Sequence, residues 1–362
     1  MTSSKSNLNL PIVSVVIPTF NCANFICRAV DSILDQELSQ FEIIIINDAS
    51  TDNTLDVLKD HYGENKSIKI INHEINLKLG AARNTGLDVA KGKYVFFLDA
   101  DDWLEKDSIL NLISIAEKNN AEIVACGMRK IWNDGKKETY HAHKFSCKGG
   151  SEALKHFVKY EIGSVACNKL YLRQFIEENE LRFIAGYWHE DVMFTAKAVY
   201  VCNKYFSIND EWYNYFQRDK SIVNSVPTQL HLESYIKLYV NMIQFIQENN
   251  LNSDKNGVEL SLKLIRAHCS DSIYPNLVRY ANSRSKLEWE SELICACKKT
   301  LGVTGLALAD FLILSLADRF ESKKKIGYIF PTAYKKYFKL FLNSKLRQPV
   351  RKIRYFLRGK KI

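Results

Sequence analysis

Three short apolar runs, each closing on polar or acidic residues, constrain this chain more than any other feature. Val13–Ile17 reads VSVVI, Phe41–Ile46 reads FEIIII and Tyr94–Leu98 reads YVFFL. Runs this short, rich in β-branched residues and lacking polar alternation, suit strands covered on both faces. Helix-compatible stretches separate them: about Phe25–Leu34, Thr54–Tyr62 behind the capping cluster Ser50–Thr54, and Gly80–Ala90. A shorter strand is expected at Ile68–Asn72. This β-α-β-α-β order predicts an α/β fold with a mostly parallel sheet flanked by helices. Such sheets bind ligands at the carboxyl ends of their strands. Asp48 and the run Asp99-Ala100-Asp101-Asp102 both fall there.

Farther along the pattern is mixed. Helices are expected at Ile109–Lys118, Ser151–Tyr160 and Val192–Val199, with strands at Glu122–Gly127 and Tyr205–Ile208. After Pro227 the spacing turns helical, over Leu230–Glu248, Val258–Ala281 and Lys286–Lys299. The expected division is therefore 1–110 and 111–225 as two halves of one α/β domain, 226–322 as a helical region, and 323–362 as a tail. The long helices past Pro227 offer a face for a homodimer.

Charge is unevenly placed. Residues 323–362 hold 14 Lys and Arg and no Asp or Glu, which leaves 36 basic against 41 acidic residues in the rest. The net charge of +9 is thus a property of the tail. Within it, Tyr337, Phe338, Phe341 and Leu342 recur at helical spacing among Lys335, Lys336, Lys339 and Lys345, and Val350, Ile353 and Leu357 repeat the pattern. Basic amphipathic helices of this kind lie on anionic bilayers; a helix packed on the acidic body, or a solvated charged face, is the plainer reading. Leu301–Ala317 is leucine-rich but short and interrupted by Asp310, whereas a span needs about 20 apolar residues. Nine cysteines occur without a C-x-x-C pair, Cys295 and Cys297 being the closest spacing. Reduced thiols of a cytoplasmic protein fit better than a zinc site, and the N-terminus shows no export signal.

The acidic cluster after the third run is the strongest chemical signal. Asp99, Asp101 and Asp102 repel one another unless a cation joins them, and hard divalent ions favour carboxylate oxygens. Asp102 alone could instead cap a helix starting near Leu104. A second pair, Glu190-Asp191, opens an expected helix, where acids are also favoured by the helix dipole.

Taken in order, several segments resemble family 2 glycosyltransferases of the inverting GT-A type: VSVVIPTFN (Val13–Asn21), EIIIINDASTDNT (Glu42–Thr54), GAARNTGL (Gly80–Leu87) and FLDADDWL (Phe97–Leu104). CNKLY (Cys167–Tyr171), HEDVMF (His189–Phe194) and YFQRDKSI (Tyr215–Ile222) are similar to later blocks of that family. The resemblance implies a nucleotide-sugar donor, UDP-linked above all, with Pro18, Thr19 and Phe20 lining the base and ribose pocket. It implies that Asp48 accepts a hydrogen bond from uracil, although an Asx-turn would also suit this residue. Arg83 would face the diphosphate, or else form a surface ion pair. Asp99 would contact the nucleotide, Asp101 and Asp102 would hold Mn²⁺ or Mg²⁺, and Arg218 and Ser221 would close over the phosphates. Asp191 would be the base that deprotonates the acceptor hydroxyl, with Glu190 positioning it or binding acceptor; His189 reads as a pocket-wall or surface residue. Lys169 would touch substrate or pair with a carboxylate, and Cys167 stands where many relatives carry tryptophan.

Family and tail together imply a cytoplasmic enzyme on the inner face of the cell membrane that extends a lipid-linked saccharide in bacterial surface-polysaccharide assembly. Three other classes compete. A sugar-phosphate nucleotidyltransferase carries a Gly-rich loop after its first strand, and PTFNCAN has no glycine. A nucleic-acid-binding protein is at odds with the acidic body. A non-catalytic scaffold would not need both acid clusters.

Overall fold

The computed structural model describes residues 10–141, 143–218, 228–251, 253–265 and 267–268. The expected helix at Lys286–Lys299, the leucine-rich segment, the Cys295–Cys297 pair and the basic tail lie outside these residues. Two compact units divide the chain, one comprising 1–225 with 245–264 and the other 226–244 with 265–362.

The first unit is built on one sheet. Strand β1 (Val13–Thr19) is buried along its whole length, as its VSVVI core demands. It pairs in parallel with β2 (Phe41–Asn47) on one side and β4 (Tyr94–Phe97) on the other, and β2 pairs in parallel with β3 (Ile68–Asn72). Ile43 to Ile46 of β2 are all fully buried, each contributing about 1.5–3 kcal/mol of hydrophobic stabilisation. Helices α1 (Ile26–Leu34), α2 (Thr54–Tyr62) and α3 (Leu79–Val89) make the crossovers. Because the register aligns Thr19 with Asn47, the two strands end together. The last β1–β4 pair is Val16 with Phe97, so Asp99 lies level with Pro18.

Beyond β4 the sheet becomes mixed. Following β5 (Trp103–Leu104) and α4 (Ser108–Asn119), β6 (Ile123–Trp132) runs past the expected end at Gly127. Next come β7 (Lys137–Tyr140), β8 (Phe145–Cys147), α5 (Ser151–Val158), β9 (Lys169–Leu172), α6 (Arg173–Glu178), α7 (Glu190–Val201) and β10 (Tyr205–Gln217). The strand order is β3-β2-β1-β4-β9-β6-β10-β5, with β7 beside β6 and β8 beside β10. Strand β9 is antiparallel to both β4 and β6, and so joins the two halves of the sequence into one sheet. The expected parallel order therefore describes β3-β2-β1-β4, while the downstream half mixes directions. Helix α9 (Lys255–Leu264) completes the first unit. The described part of the second unit is mainly residues 229–244 of α8 (Gln229–Glu248). Among the described residues no helix is long and apolar enough to cross a membrane.

Candidate active site

The loops that follow β1 and β2 are laced together. Thr19 accepts the Asp48 N–H at 2.8 Å through its backbone oxygen, and Asn21 accepts the Thr51 N–H at 2.8 Å through its side chain. Asn21 itself adopts φ +52°, a left-handed conformation that asparagine tolerates better than most residues. The Phe20 ring between them is 43% exposed and free to meet a ligand. Asp48 is buried and braces the next crossover. Its Oδ1 accepts the Leu77 N–H at 2.8 Å and lies 2.7 Å from His73 Nδ1, while Oδ2 accepts the Lys78 N–H at 2.8 Å. Lys78 holds φ +74°, so this carboxylate pins a strained residue at the start of α3.

Helix α3 explains the GAARNTGL motif. A Cβ on Gly86 would lie 2.3 Å from the Val16 side chain, and one on Gly80 would lie 2.4 Å from the Ile184 carbonyl and 3.1 Å from Glu190 Cγ. Both glycines let the helix approach closely, one against β1 and the other against the start of α7. That approach delivers Arg83 into the interior. Its guanidinium donates to Glu190 Oε1 at 2.6 Å and to Asp99 Oδ1 at 2.7 Å, over the Phe183 ring at 5.3 Å. Phe183 stacks on Phe194 at 3.9 Å, and Phe97 meets both edge-on. Arg83 is only 2% exposed, and in place of the surface ion pair that the sequence also allowed it forms a buried one. Both of its terminal nitrogens are engaged by carboxylates on an aromatic floor, where charge pairing is strengthened by low polarity.

The acidic run after β4 separates into three environments. Asp99 is partly exposed beside Arg83. Asp101 faces Arg218, whose Nε lies 2.9 Å from Oδ2, and its backbone oxygen accepts Arg28 Nη2 at 2.7 Å. Burial raises the Asp101 pKa, Arg218 pulls it back down, and Asp99 pushes it up again. Asp102 is fully buried, with Oδ2 accepting the Tyr213 hydroxyl at 2.6 Å and Oδ1 accepting the Phe216 N–H at 2.8 Å. Burial, with Asp101 and Asp99 nearby, raises its pKa well above the usual range. Asp102 thus acts in this structure as a strut that docks β10 under the site. Tyr213 also accepts the Asp99 N–H at 3.3 Å.

Helix α7 begins at Glu190 after His189, which holds φ +62°. Glu190 is buried and Asp191 partly so. Burial first, then the neighbouring Asp191, raises Glu190 to about 7 against the pull of Arg83. Burial also raises Asp191; Arg83 opposes that shift and Asp99 adds to it. A carboxylate lifted in this way is a better proton acceptor at neutral pH than an ordinary one.

Arg83 thus brings Asp99 and the Glu190-Asp191 pair together from opposite halves of the sequence. Asp101 and Arg218 adjoin Asp99, and Pro18, Thr19 and Phe20 lie at the neighbouring strand end. Ser221 lies outside the described residues. Lys169 does neither of the things expected of it: its buried ammonium donates to the Gly163 and Val165 carbonyls and to Asn168 Oδ1 at 3.0, 2.7 and 2.9 Å. Tyr213 and Arg28 went unseen in the sequence. For Tyr213 the alternation WYNYFQ (Trp212–Gln217) was a signal of a strand, and for Arg28 there was none.

The family model described as glycosyl transferase family 2 matches residues 14–179. The uncharacterized glycosyltransferase EpsJ of Bacillus subtilis (strain 168) is 30% identical over 250 residues, covering 67% of this chain and 72% of that protein. The putative glycosyltransferase EpsH of the same organism is 29% identical over 248 residues, or 67% and 71% of the two chains. Among solved structures, S. aureus TarS 1–349 in complex with UDP-GlcNAc is similar with a TM-score of 0.65 at 19% identity, over 90% of this chain and 91% of that one. That likeness gives the GT-A fold. The chain is a glycosyltransferase and belongs to glycosyl transferase family 2.

Proposed function

We propose that the chain transfers a sugar from a UDP-linked donor to a hydroxyl of a lipid-linked or polysaccharide acceptor, inverting the anomeric carbon. The observation that carries this reading is the Arg83 bridge, which sets Asp99 beside the raised carboxylates of Glu190 and Asp191. Binding of UDP-GlcNAc by S. aureus TarS supports the choice of UDP. The exposed Phe20 ring, with Pro18, Thr19 and Asp48, would form the base and ribose pocket. Arg218 would meet the phosphates once it leaves Asp101.

In the reaction, Asp191 takes the proton of the acceptor hydroxyl while that oxygen attacks the anomeric carbon from the face opposite the diphosphate. The bond to the diphosphate breaks as the new glycosidic bond forms, and one displacement inverts the centre. Arg83, by pinning Glu190, fixes the helix start from which Asp191 projects. Among the described residues, no three His, Cys, Asp or Glu side chains converge into a full metal cage. Asp101, whose pair with Arg218 engages Oδ2, with Asp99 beside it, fits a hard cation that draws its other ligands from phosphate and water. Mn²⁺ or Mg²⁺ held there supplies charge neutralisation for the leaving diphosphate.

The basic residues of 323–362 would hold the protein against an anionic membrane, each contributing about 1 kcal/mol near the surface, on the inner face of the cell membrane where lipid-linked acceptors lie. The test is to screen UDP- and GDP-sugars for hydrolysis or transfer with Mn²⁺, alongside Asp101→Ala. Turnover of one donor that chelator and the variant both abolish supports the reading. Turnover untouched by either would remove the metal from it, and no turnover with any donor would leave only the fold.

A further inference from the structure

One face of the downstream sheet carries a patch that the reaction above does not use. Along β10, Tyr213 and Tyr215 point to the same side, two residues apart. The register sets Tyr213 opposite Met128 and Met128 opposite Tyr140, with Tyr215 opposite Lys130 on the next rung of that side. Tyr140, Lys130 and Tyr215 therefore share a face with the tyrosine that holds Asp102. The rings of Tyr140 and Tyr215 lie 6.3 Å apart at 31°, and Lys130 Nζ sits 4.0 Å above the Tyr140 ring. All three side chains are partly exposed.

This patch borders both acid clusters. After burial, Cys167 and then Asp191 raise the Tyr140 hydroxyl pKa, and Asp102 and Asp99 are among the groups that raise that of Tyr215. Its charge balance differs from that of the opposite face. There Arg129 is neutralised by Glu211 at 3.0 Å and Glu105 at 3.3 Å. Lys130 makes no ion pair among the described residues, although Glu138 is its cross-strand neighbour. The Tyr140 ring holds the ammonium in position without cancelling its charge. Aromatic rings offer an apolar face to the C–H face of a sugar, and a fixed lysine is a point charge for a carboxylate or phosphate.

We propose that Tyr140, Tyr215 and Lys130 form the acceptor subsite, and that it takes a saccharide bearing an anionic group, carboxylate or phosphate, beside the hydroxyl presented to Asp191. The inference rests on the glycosyl-transfer reading and names its substrate class. A neutral saccharide would use the two rings alone, whereas an anionic one also pairs with Lys130.

The test is calorimetric binding to the full chain, with UDP present and at low salt, of three probes: a uronate-containing oligosaccharide, a polyol-phosphate oligomer and a neutral glucose oligosaccharide. One anionic probe is expected to bind about tenfold or more tighter than the neutral one, and which of the two binds identifies the anion. Lys130→Met should erase that difference, Lys130→Arg should keep it, and Tyr215→Ala should weaken the anionic and neutral probes alike. Thermal melting establishes that each variant is folded. Equal affinity for all three probes, failure of both anionic probes to bind, or an unaltered preference in Lys130→Met would overturn the subsite. Hydrolysis of UDP-sugar by the wild-type chain reads the transfer reaction separately. A protein that hydrolyses donor yet shows no anionic preference therefore overturns the subsite alone.

Discussion

On the proposed donor side of the site, two buried carboxylates are bound by backbone N–H groups and a tyrosine hydroxyl. Asp48 accepts from the Leu77 and Lys78 N–H groups, and Asp102 from the Phe216 N–H and the Tyr213 hydroxyl. On the proposed acceptor side, Glu190 and Asp191 project from the first turn of α7, and the salt bridge that joins Glu190 to Asp99 runs through Arg83. The donor loops are thus set before any ligand arrives, by bonds that side-chain changes elsewhere scarcely touch. Glu190 owes its position to one buried guanidinium, while the proton affinity of both acids is raised by burial and held back by that same guanidinium. Fixed geometry suits a group that must recognise a nucleotide, and an adjustable proton affinity suits a group that must take a proton and release it.

The sharpest way to break this comparison is at the base. Asp191→Asn keeps the shape and hydrogen-bonding capacity of the side chain but removes its basicity. Transfer is expected to fall by about 10²–10⁴-fold, the usual contribution of a general base, while UDP affinity measured by calorimetry stays within error of the parent. Parallel losses of transfer and UDP affinity would mean that Asp191 belongs to the donor side.

Arg83→Met attacks the link itself. It leaves Glu190 buried without its partner and Asp99 without a counter-charge, and breaking a buried pair from one side costs about 3–5 kcal/mol. Denaturant melts should show that loss; a change of about 0.5 kcal/mol, the range of an ordinary surface substitution, would contradict the buried bridge.

The same variant sharpens the electrostatic half of the comparison. With the ionised form of Asp191 as the proposed base, transfer should fall as pH drops through its raised pKa. The acid limb of kcat/KM against pH is therefore expected above about 3.9, the ordinary aspartate value. Because Arg83 lowers the pKa of Asp191, Arg83→Met should move that limb to higher pH in whatever activity remains. A limb that stays put or moves down would separate Arg83 from the base.

The donor half was far more legible in the sequence than the acceptor half. Strands β1, β2 and β4 are short runs rich in β-branched and aromatic residues and mostly buried, so length and composition mark them as strands, and α2 occupies the expected Thr54–Tyr62. The 13-residue β10 was legible only over its first four residues, Tyr205–Ile208. Its continuation carries Asp210 and Glu211, and its register against β6 shifts between Ser207 and Tyr213. Asp99 and Glu190 could each be singled out from a local motif. Their meeting could not, because the Arg83–Glu190 bond spans 107 residues of chain. The same gap hid the partners of Arg83 and Asp102, which come from distant segments, whereas those of Lys169 lie within its own loop. Each proved to satisfy a buried partner.

Lys169 gives the smallest expected effect and the cleanest separation of structure from chemistry. Its ammonium is wholly buried, and burial lowers its pKa to about 8. Its three acceptors, Gly163 O, Val165 O and Asn168 Oδ1, tie the 163–168 loop to β9, and β9 joins the two halves of the sheet. Lys169→Met fills much of the same volume and leaves those acceptors without a donor, at a cost of about 1–3 kcal/mol. Melts should record that loss, whereas KM for donor and acceptor, measured per folded molecule, should not move. A raised KM with an unchanged melt would return Lys169 to the substrate. The acceptor side would then hold, beside Lys130, another cation that acts on ligand directly, and the division between a buried strut and a ligand-facing charge would no longer stand.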